Sequence, residues 1–259
     1  MAKQAAANPH ERRITPHPLC RAVFVALLLL SAYSATGCNE SHAARAADEP
    51  SPERWEEEIR RLERHPQATP SVAGGVLFVG SSSVRMWDSL PDDMSPLRVV
   101  RRGFGGARTA DVLHYAKRLV LPHRPRAIVY YAGDNDLADP GKHANPQTVR
   151  DNFRNFVETI RDAGQSPDIY FVSIKPSPTR MPHWAAMARA NKLVERYASS
   201  EPGVTYIDVA NRMLDSRGQP RAELYGQDGV HLSAHGYALW SSILKPVLEN
   251  RVGENPLYL

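Results

Sequence analysis

Four short segments of the chain contain side chains that suit nucleophilic catalysis. Gly-Ser-Ser-Ser begins at Gly80, Gly-Phe-Gly-Gly at Gly103, Gly-Asp-Asn-Asp at Gly133 and Asp-Gly-Val-His at Asp228. A serine alkoxide needs a base to take its proton, the base needs a carboxylate to orient it, and the oxyanion that develops needs hydrogen-bond donors. Together the four segments supply every one of these groups.

Ser82, His231 and Asp228 fit the roles of nucleophile, base and orienting carboxylate. Asp228 and His231 are three residues apart, and in a turn or nascent helix this spacing lets both side chains point the same way. Two arrangements are possible: the Asp228 carboxylate orients the His231 imidazole, or both side chains face Ser82. We expect the oxyanion donors to be the N–H of Ser82, an N–H of the glycine-rich loop after Gly103, and the side-chain amide of Asn135.

Each segment also has a purely structural interpretation. Gly-Ser-Ser-Ser is an ordinary turn or helix N-cap, Asp-Gly is a common turn, and glycine-rich loops are frequent. His235, close to His231, is better explained as a structural or solvent-facing residue in the first turn of a helix. The chemical interpretation is favoured because all four segments lie at or beyond the end of a predicted strand.

Short apolar segments alternate with amphipathic segments along the body of the chain, which predicts strands alternating with helices. Continuously apolar strands are typical of a parallel sheet covered on both faces, and right-handed crossovers make this one three-layer α/β domain. Reactive groups then lie at the carboxyl ends of the strands, and the apolar stripes of the helices form the core. The predicted strands are 76–79, 97–100, 127–131, 168–174 and 204–208, and the predicted helices are 51–64, 109–120, 146–163, 184–199 and 234–248.

The first part of the chain has the pattern of a signal peptide. Arginines precede an apolar run at residues 23–30, which is short for a transmembrane span, and small residues follow it. Ala35-Thr36-Gly37-Cys38 resembles a bacterial lipobox, whose cysteine is lipidated; ordinary cleavage after Ala46 is the alternative. We therefore predict an exported protein, either anchored in the cell envelope through Cys38 or released to the periplasm or medium. The predicted division is a signal peptide at 1–37, a disordered tether at 38–50 and a folded domain at 51–259.

Composition and charge exclude several classes of protein. The net charge of +4 is carried mainly by residues 1–37, at +3, so the basic pI does not indicate a nucleic-acid partner. The two cysteines are Cys20 and Cys38, so the body has no disulfide and no cysteine zinc site. The glycine-rich loop lacks a phosphate-binding Gly-Lys-Ser/Thr sequence and a dinucleotide fingerprint, which disfavours a nucleotide-binding protein.

In these four segments the chain resembles the SGNH, or GDSL-type, serine hydrolases, and the resemblance covers residues 72–250. It implies that Ser82 is the nucleophile and that Asp228 and His231 complete a catalytic triad. It also implies that the N–H groups of Ser82 and Gly106 and the amide of Asn135 form the oxyanion hole. The chain departs from the family pattern where Ser81 replaces the usual Asp and where Arg101-Arg102 stands in place of an Asn that often precedes the glycine-rich loop.

The resemblance further implies a flavodoxin-like three-layer α/β/α fold and an esterase or acylhydrolase that uses no metal and no organic cofactor. The expected substrate is a small-molecule, lipid or carbohydrate ester. A carbohydrate deacetylase, a lysophospholipase or a thioesterase on the same site are alternatives, and so is a non-catalytic ligand-binding module on this fold. The predicted folded domain, residues 51–259, is on this interpretation an SGNH-like hydrolase domain.

Overall fold

A sheet of five parallel strands lies at the centre of the part of the chain that the computed structural model describes, residues 51–64, 74–138 and 145–252. The predicted signal peptide and tether, including Cys38, lie outside these ranges. Each neighbouring pair of strands runs parallel. The strands are β1 (Val76–Gly80), β2 (Val99–Gly103), β3 (Ala127–Tyr131), β4 (Asp168–Val172) and β5 (Val204–Ile207).

The strand order across the sheet is β2-β1-β3-β4-β5. From β1 the chain runs to β2 at one edge of the sheet, then crosses back past β1 to β3 and continues toward the opposite edge. The connections that leave β1 and β3 therefore run in opposite directions. Ligands of open α/β sheets bind at such a switch point, outside the carboxyl ends of the strands. Gly80 of β1 pairs with Tyr131 of β3, so the segments that follow them start side by side. The predicted three-layer fold with a five-stranded parallel sheet is confirmed.

Helices cover both faces of the sheet, and their starts follow from local sequence. At the start of the helix Pro146–Asp162, the Asn145 side chain accepts the N–H of Thr148 at 2.9 Å, and Pro146 occupies the first helical position. The helices are α1 (Glu56–Arg64), α2 (Ser82–Arg85), α3 (Leu90–Asp93), α4 (Thr109–His114), α5 (Ala116–Val120), α6 (Asp134–Leu137), α7 (Pro146–Asp162), α8 (Trp184–Ser200) and α9 (Ala234–Val252). Short 3₁₀ helices lie at Pro52–Trp55, Leu121–His123, Pro178–His183, Asn211–Met213 and Ala222–Leu224.

Successive side chains of a strand point to opposite faces of the sheet, so the strands contribute to two hydrophobic cores, one on each face. Leu77 and Val79 belong to the core beneath α4, α5, α7 and α8, whereas Val76 and Phe78 belong to the core beneath α9. In α9, Trp240 is buried against Trp87 and Tyr131. Among the described residues, no helix is both long enough and apolar enough to cross a lipid bilayer.

Several predicted elements differ in their bounds: β4 ends at Val172 rather than at residue 174, and the helix predicted at 51–64 begins with a 3₁₀ helix at Pro52–Trp55. For two others a tertiary contact accounts for the difference. The helix predicted over 109–120 is two helices, because Tyr115 leaves helical geometry between α4 and α5 and its hydroxyl donates to the carbonyl of Pro52 at 3.1 Å. Strand β2 continues through two arginines to Gly103, whereas the apolar pattern predicted its end at Val100. The strand extends because Arg102, although charged, is buried and donates through Nε to His123 Nε2 at 3.0 Å.

Candidate active site

Ser82 lies immediately beyond β1, at the first position of α2. Gly80 takes a φ of +146°, and a Cβ there would stand 1.9 Å from the carbonyl oxygen of Tyr131, so only glycine allows β1 and β3 to approach this closely. The N–H of Ser81 donates to the same oxygen at 2.9 Å. The chain then turns into α2 with the N–H of Ser82 at a helix start, where helical geometry provides it with no acceptor.

His231 and Asp228 lie in the loop that precedes α9, and this loop brings them to Ser82. His231 Nε2 lies 2.9 Å from Ser82 Oγ, and His231 Nδ1 lies 2.5 Å from Asp228 Oδ2. The other carboxylate oxygen of Asp228 accepts the N–H groups of Val230 and His231, both at 2.9 Å. Of the two arrangements left open by the sequence, the structure therefore has the carboxylate fixing the imidazole from the side remote from the serine.

The hydrogen bonds to Asp228 keep its carboxylate ionised. The N–H of Val230, together with the contact to His231, lowers the pKa of Asp228 to about 2. The loop itself is held by Thr179, whose hydroxyl donates to the carbonyl of Asp228 at 2.7 Å and whose N–H donates to that of Gly229 at 3.2 Å. Gly229 has a φ of +62°, and a Cβ there would lie 2.6 Å from the Thr179 hydroxyl.

Among the three consecutive serines, Ser82 is the one in contact with His231. The hydroxyls of Ser81 and Ser83 are buried and find no hydrogen-bond partner among the described residues. Ser81 thus occupies the usual Asp position as a buried neutral residue. His235 is exposed on the first turn of α9, as expected for a residue outside the site.

The two predicted oxyanion donors outside α2 lie close to each other. Asn135 follows β3 in α6, and a Cβ built on Gly106 would stand 4.0 Å from its Nδ2. One N–H of this amide donates to the carbonyl of Ala107 at 3.0 Å, and its oxygen accepts from Arg180 Nη2 at 2.9 Å. The side chain is therefore held with its NH₂ group toward the glycine-rich loop, and the second N–H of that group is available to a ligand.

Arg180 belongs to a buried charged cluster that the sequence analysis did not identify. Arg180 Nη1 lies 2.9 Å from Asp134 Oδ2, and Lys175 Nζ lies 3.0 Å from the same oxygen. Lys175 also donates to the hydroxyl of Tyr131 at 3.1 Å. Burial opposes ionisation of Asp134, but the two cations outweigh it and hold the pKa of Asp134 below its ordinary value. The available signal was a charged residue directly after a predicted apolar strand, as Lys175 is after the strand predicted at 168–174.

Asp136 connects the segment after β3 to the start of α4. Its carboxylate accepts the N–H of Thr109 at 3.0 Å and the hydroxyl of Thr109 at 2.5 Å. Burial raises the pKa of Asp136 to about 6. This contact fixes the end of the glycine-rich loop, and it too was missed by sequence reasoning. Within the described ranges, no three His, Cys, Asp or Glu side chains are grouped closely enough to hold a metal ion.

A serine, a carboxylate-oriented imidazole and clustered N–H donors at the carboxyl edge of a parallel sheet define the class of α/β hydrolytic enzymes that act on acyl groups. Residues 71–239 match the model of the GDSL-like lipase/acylhydrolase family. The match covers well over half of the chain, and the chain belongs to this family. It is therefore an esterase or acylhydrolase, acting on carboxylic esters.

Two curated relatives carry the same name, isoamyl acetate-hydrolyzing esterase 1 homolog. The Homo sapiens protein is 26% identical over 183 residues, which cover 62% of this chain and 72% of that protein. The Bos taurus protein is 27% identical over 221 residues, covering 74% of this chain and 88% of that protein. A solved GDSL-like lipase from Bacteroides thetaiotaomicron superposes with a TM-score of 0.62 at 21% identity, over 78% of this chain and 98% of that one. The last comparison shows a shared fold.

Proposed function

We propose that this chain is an exported serine esterase or acylhydrolase in which Ser82 attacks the carbonyl carbon of an ester. His231 is the base that takes the serine proton, and Asp228 stabilises the imidazolium that results. One observation carries the proposal: the imidazole bridges the two other groups, with Nε2 2.9 Å from Ser82 Oγ and Nδ1 2.5 Å from Asp228 Oδ2.

The reaction proceeds in two acyl transfers. As the serine oxygen bonds to the carbonyl carbon, its proton passes to His231 and the carbonyl electrons move onto oxygen. The N–H groups of Ser82 and Gly106 and the free N–H of Asn135 hold that oxyanion, and one such donor is typically worth about a hundredfold or more in rate. Collapse breaks the bond to the alcohol, which leaves with the proton from His231. Water then attacks the acyl-serine with His231 again as base, releasing the acid and restoring the serine hydroxyl.

Substitution of the nucleophile tests this proposal. Ser82→Ala is expected to abolish ester hydrolysis while the thermal unfolding midpoint stays close to that of the wild type, because the change removes only a hydroxyl whose contact among the described residues is with His231. Ser83→Ala is the matched control, because the Ser83 hydroxyl is buried beside Ser82 in the chain but does not contact His231. Hydrolysis that survives in purified Ser82→Ala, or that disappears in a folded Ser83→Ala, contradicts the assignment.

For the substrate we propose a small acetate ester. The support is the name shared by the two curated relatives, which describes hydrolysis of isoamyl acetate. The test is a comparison of kcat/KM for isoamyl acetate and p-nitrophenyl acetate with that for longer p-nitrophenyl esters, acetylated sugars, lysophospholipids and acyl-CoA. The highest value on simple acetate esters supports the proposal. A higher value on one of the other classes assigns the site to a deacetylase, lysophospholipase or thioesterase instead.

We further propose export, supported by the charged and apolar pattern of residues 1–37 and by Cys38. The mature chain is expected to begin at Cys38, with a lipid on its sulfur, or near Ala47 without one. Intact-mass measurement of the protein recovered from the expressing bacterium distinguishes these forms. A cytoplasmic product that retains Met1 or Ala2 at its N-terminus contradicts both.

A further inference from the structure

The glycine-rich loop that carries Gly106 is covered by the helical segment at residues 52–64. Gly106 is exposed and has no side chain to hold its peptide groups in place. The loop is tied at its start, where the N–H of Phe104 donates to the carbonyl of Gly80 at 3.1 Å, and near its end, where Asp136 accepts from Thr109. Between these ties, the carbonyl of Ala107 accepts from Asn135 Nδ2 at 3.0 Å, which holds the loop on the far side of Gly106. The orientation of the peptide that ends in the N–H of Gly106 then depends on this contact together with what holds Gly105.

Glu58 of α1 holds Gly105 from one side. Its carboxylate Oε1 accepts the N–H of Gly105 at 3.1 Å, a contact between residues 47 positions apart in the chain. Arg85 of α2, three residues beyond Ser82, places its Nε 3.9 Å from the same oxygen. The carboxylate therefore stands between the loop and the helix that begins at the candidate nucleophile.

Trp55 holds Gly105 from another side. A Cβ built on Gly105 would lie 2.0 and 2.2 Å from two atoms of the indole ring, so the ring lies directly against the backbone of the loop. The ring packs edge-on against Phe104, with centroids 5.8 Å apart, and the guanidinium of Arg54 lies 5.1 Å from its centroid. Arg54 in turn pairs with Asp111 of α4 at 2.6 Å, which secures the indole over the loop.

We propose that Trp55 and Glu58 are positioning residues for the oxyanion hole, holding Gly105 so that the N–H of Gly106 points at the developing oxyanion. Both are proposed to act through the loop rather than by contact with the substrate. Both precede residues 71–239, the part of the chain matched by the family model. The inference rests on the proposed function, since it assigns a task to the donor proposed at Gly106. A misdirected donor weakens transition-state binding more than substrate binding, so its loss lowers kcat and leaves KM nearly unchanged.

The experiment compares four variants of the full chain, Glu58→Ala, Glu58→Gln, Trp55→Ala and Trp55→Phe, with p-nitrophenyl acetate as substrate. We expect Glu58→Ala and Trp55→Ala to lower kcat on the order of tenfold to a hundredfold with little change in KM. Gln retains an acceptor oxygen and Phe retains a ring, so these two variants are expected within about threefold of wild type. Glu57→Ala is the matched control, because Glu57 is exposed on the same helix and pairs only with Arg61 among its described neighbours.

A second measurement reports on the loop directly. In ¹H–¹⁵N spectra of the labelled protein, the amide signals of Gly105 and Gly106 are expected to move in Glu58→Ala and to return in Glu58→Gln. The inference is overturned if both alanine variants keep the wild-type kcat, or if kcat falls without rescue by Gln and Phe while the unfolding midpoint falls in parallel. The proposed function fails separately, when the wild type hydrolyses no ester or Ser82→Ala remains active.

Discussion

At the scale of single residues, two histidines four positions apart have different surroundings. His231 lies between Ser82 and Asp228, whereas His235 is exposed on α9. His231→Ala is expected to lower kcat by at least about a thousandfold, and His235→Ala by less than about tenfold. Asp228→Ala is expected to cost less than His231→Ala, because the Asp228 side chain is 51% exposed and water can partly replace it.

Turnover of the three folded variants under one saturating ester checks this expectation. An inactive His235→Ala beside an active His231→Ala means that the base has been misassigned. The triad then has to be rebuilt around the other imidazole.

The fold has room for a side chain at Gly106, whereas the proposed oxyanion hole does not. Apart from its chain neighbours, the nearest atom of the described residues to a Cβ at this position is Asn135 Nδ2 at 4.0 Å, so Gly106→Ala is expected to keep its thermal unfolding midpoint. The added methyl group lies beside the amide where the oxyanion is proposed to bind, and kcat is expected to fall about a hundredfold or more. Gly105→Ala is the contrasting variant, because its Cβ collides with the indole of Trp55 and is expected to lower stability as well. A fully active Gly106→Ala contradicts the placement of the oxyanion.

At the scale of elements, the 3₁₀ segment Pro178–His183 after β4 touches both halves of the site. Its Thr179 holds the Asp228 loop, and its Arg180 holds the amide oxygen of Asn135. Arg180→Met is expected to lower kcat roughly tenfold to a hundredfold, because the amide is no longer held with its NH₂ toward the oxyanion. Lys175 remains paired with Asp134, so the variant is expected to fold.

A double-mutant cycle separates this role from a general loss of structure. If Arg180 acts through Asn135, Arg180→Met is expected to change kcat by less than about threefold when Asn135 is already alanine. Additive losses in the double variant contradict the interpretation, since they show that Arg180 acts on the rate by another route.

The burial of Asp136 where α6 meets α4 makes stability depend on pH. Asp136 has its pKa raised from 3.8 to about 6 by burial, so the folded state binds this proton more tightly than the unfolded state does. Its contribution to the free energy of unfolding is therefore greatest below about pH 4 and declines as pH rises through about 6, by about 2 to 3 kcal/mol in all.

Urea unfolding of wild type and Asp136→Asn at several pH values checks this. The amide cannot titrate, so the variant is expected to gain stability relative to the wild type between about pH 4 and 7. A difference between the two proteins that does not change with pH rules out the proposed titration of Asp136.

At the scale of the whole molecule, local patterns predicted the sheet because each strand is a short apolar run that ends in turn residues. They also predicted where Ser82, Asn135 and His231 lie, since each follows the carboxyl end of a strand or precedes a helix. Contacts made by single residues far apart in the chain leave no such pattern. Glu58 reaches Gly105 across 47 residues and Arg180 reaches Asn135 across 45, and neither has a neighbouring motif that indicates its partner.

Element boundaries were predicted less well for a related reason. Tyr115 fits the helical pattern of residues 109–120, yet the hydrogen bond of its hydroxyl to Pro52 coincides with a break between α4 and α5. The apolar pattern predicts that the second strand ends at Val100, yet the buried bond of Arg102 to His123 allows β2 to continue to Gly103. In both cases a tertiary contact decides the backbone conformation, and such a contact is visible only in the folded chain.

The account depends most directly on which hydroxyl attacks the substrate. The measurement is reaction of the purified protein with a fluorophosphonate probe, followed by digestion and tandem mass spectrometry of the peptide that contains Ser81, Ser82 and Ser83. The account predicts a single phosphonate adduct on Ser82 Oγ, absent from Ser82→Ala and formed much more slowly in His231→Ala. An adduct on Ser81 or Ser83, or labelling of Ser82→Ala at the wild-type rate, would contradict it.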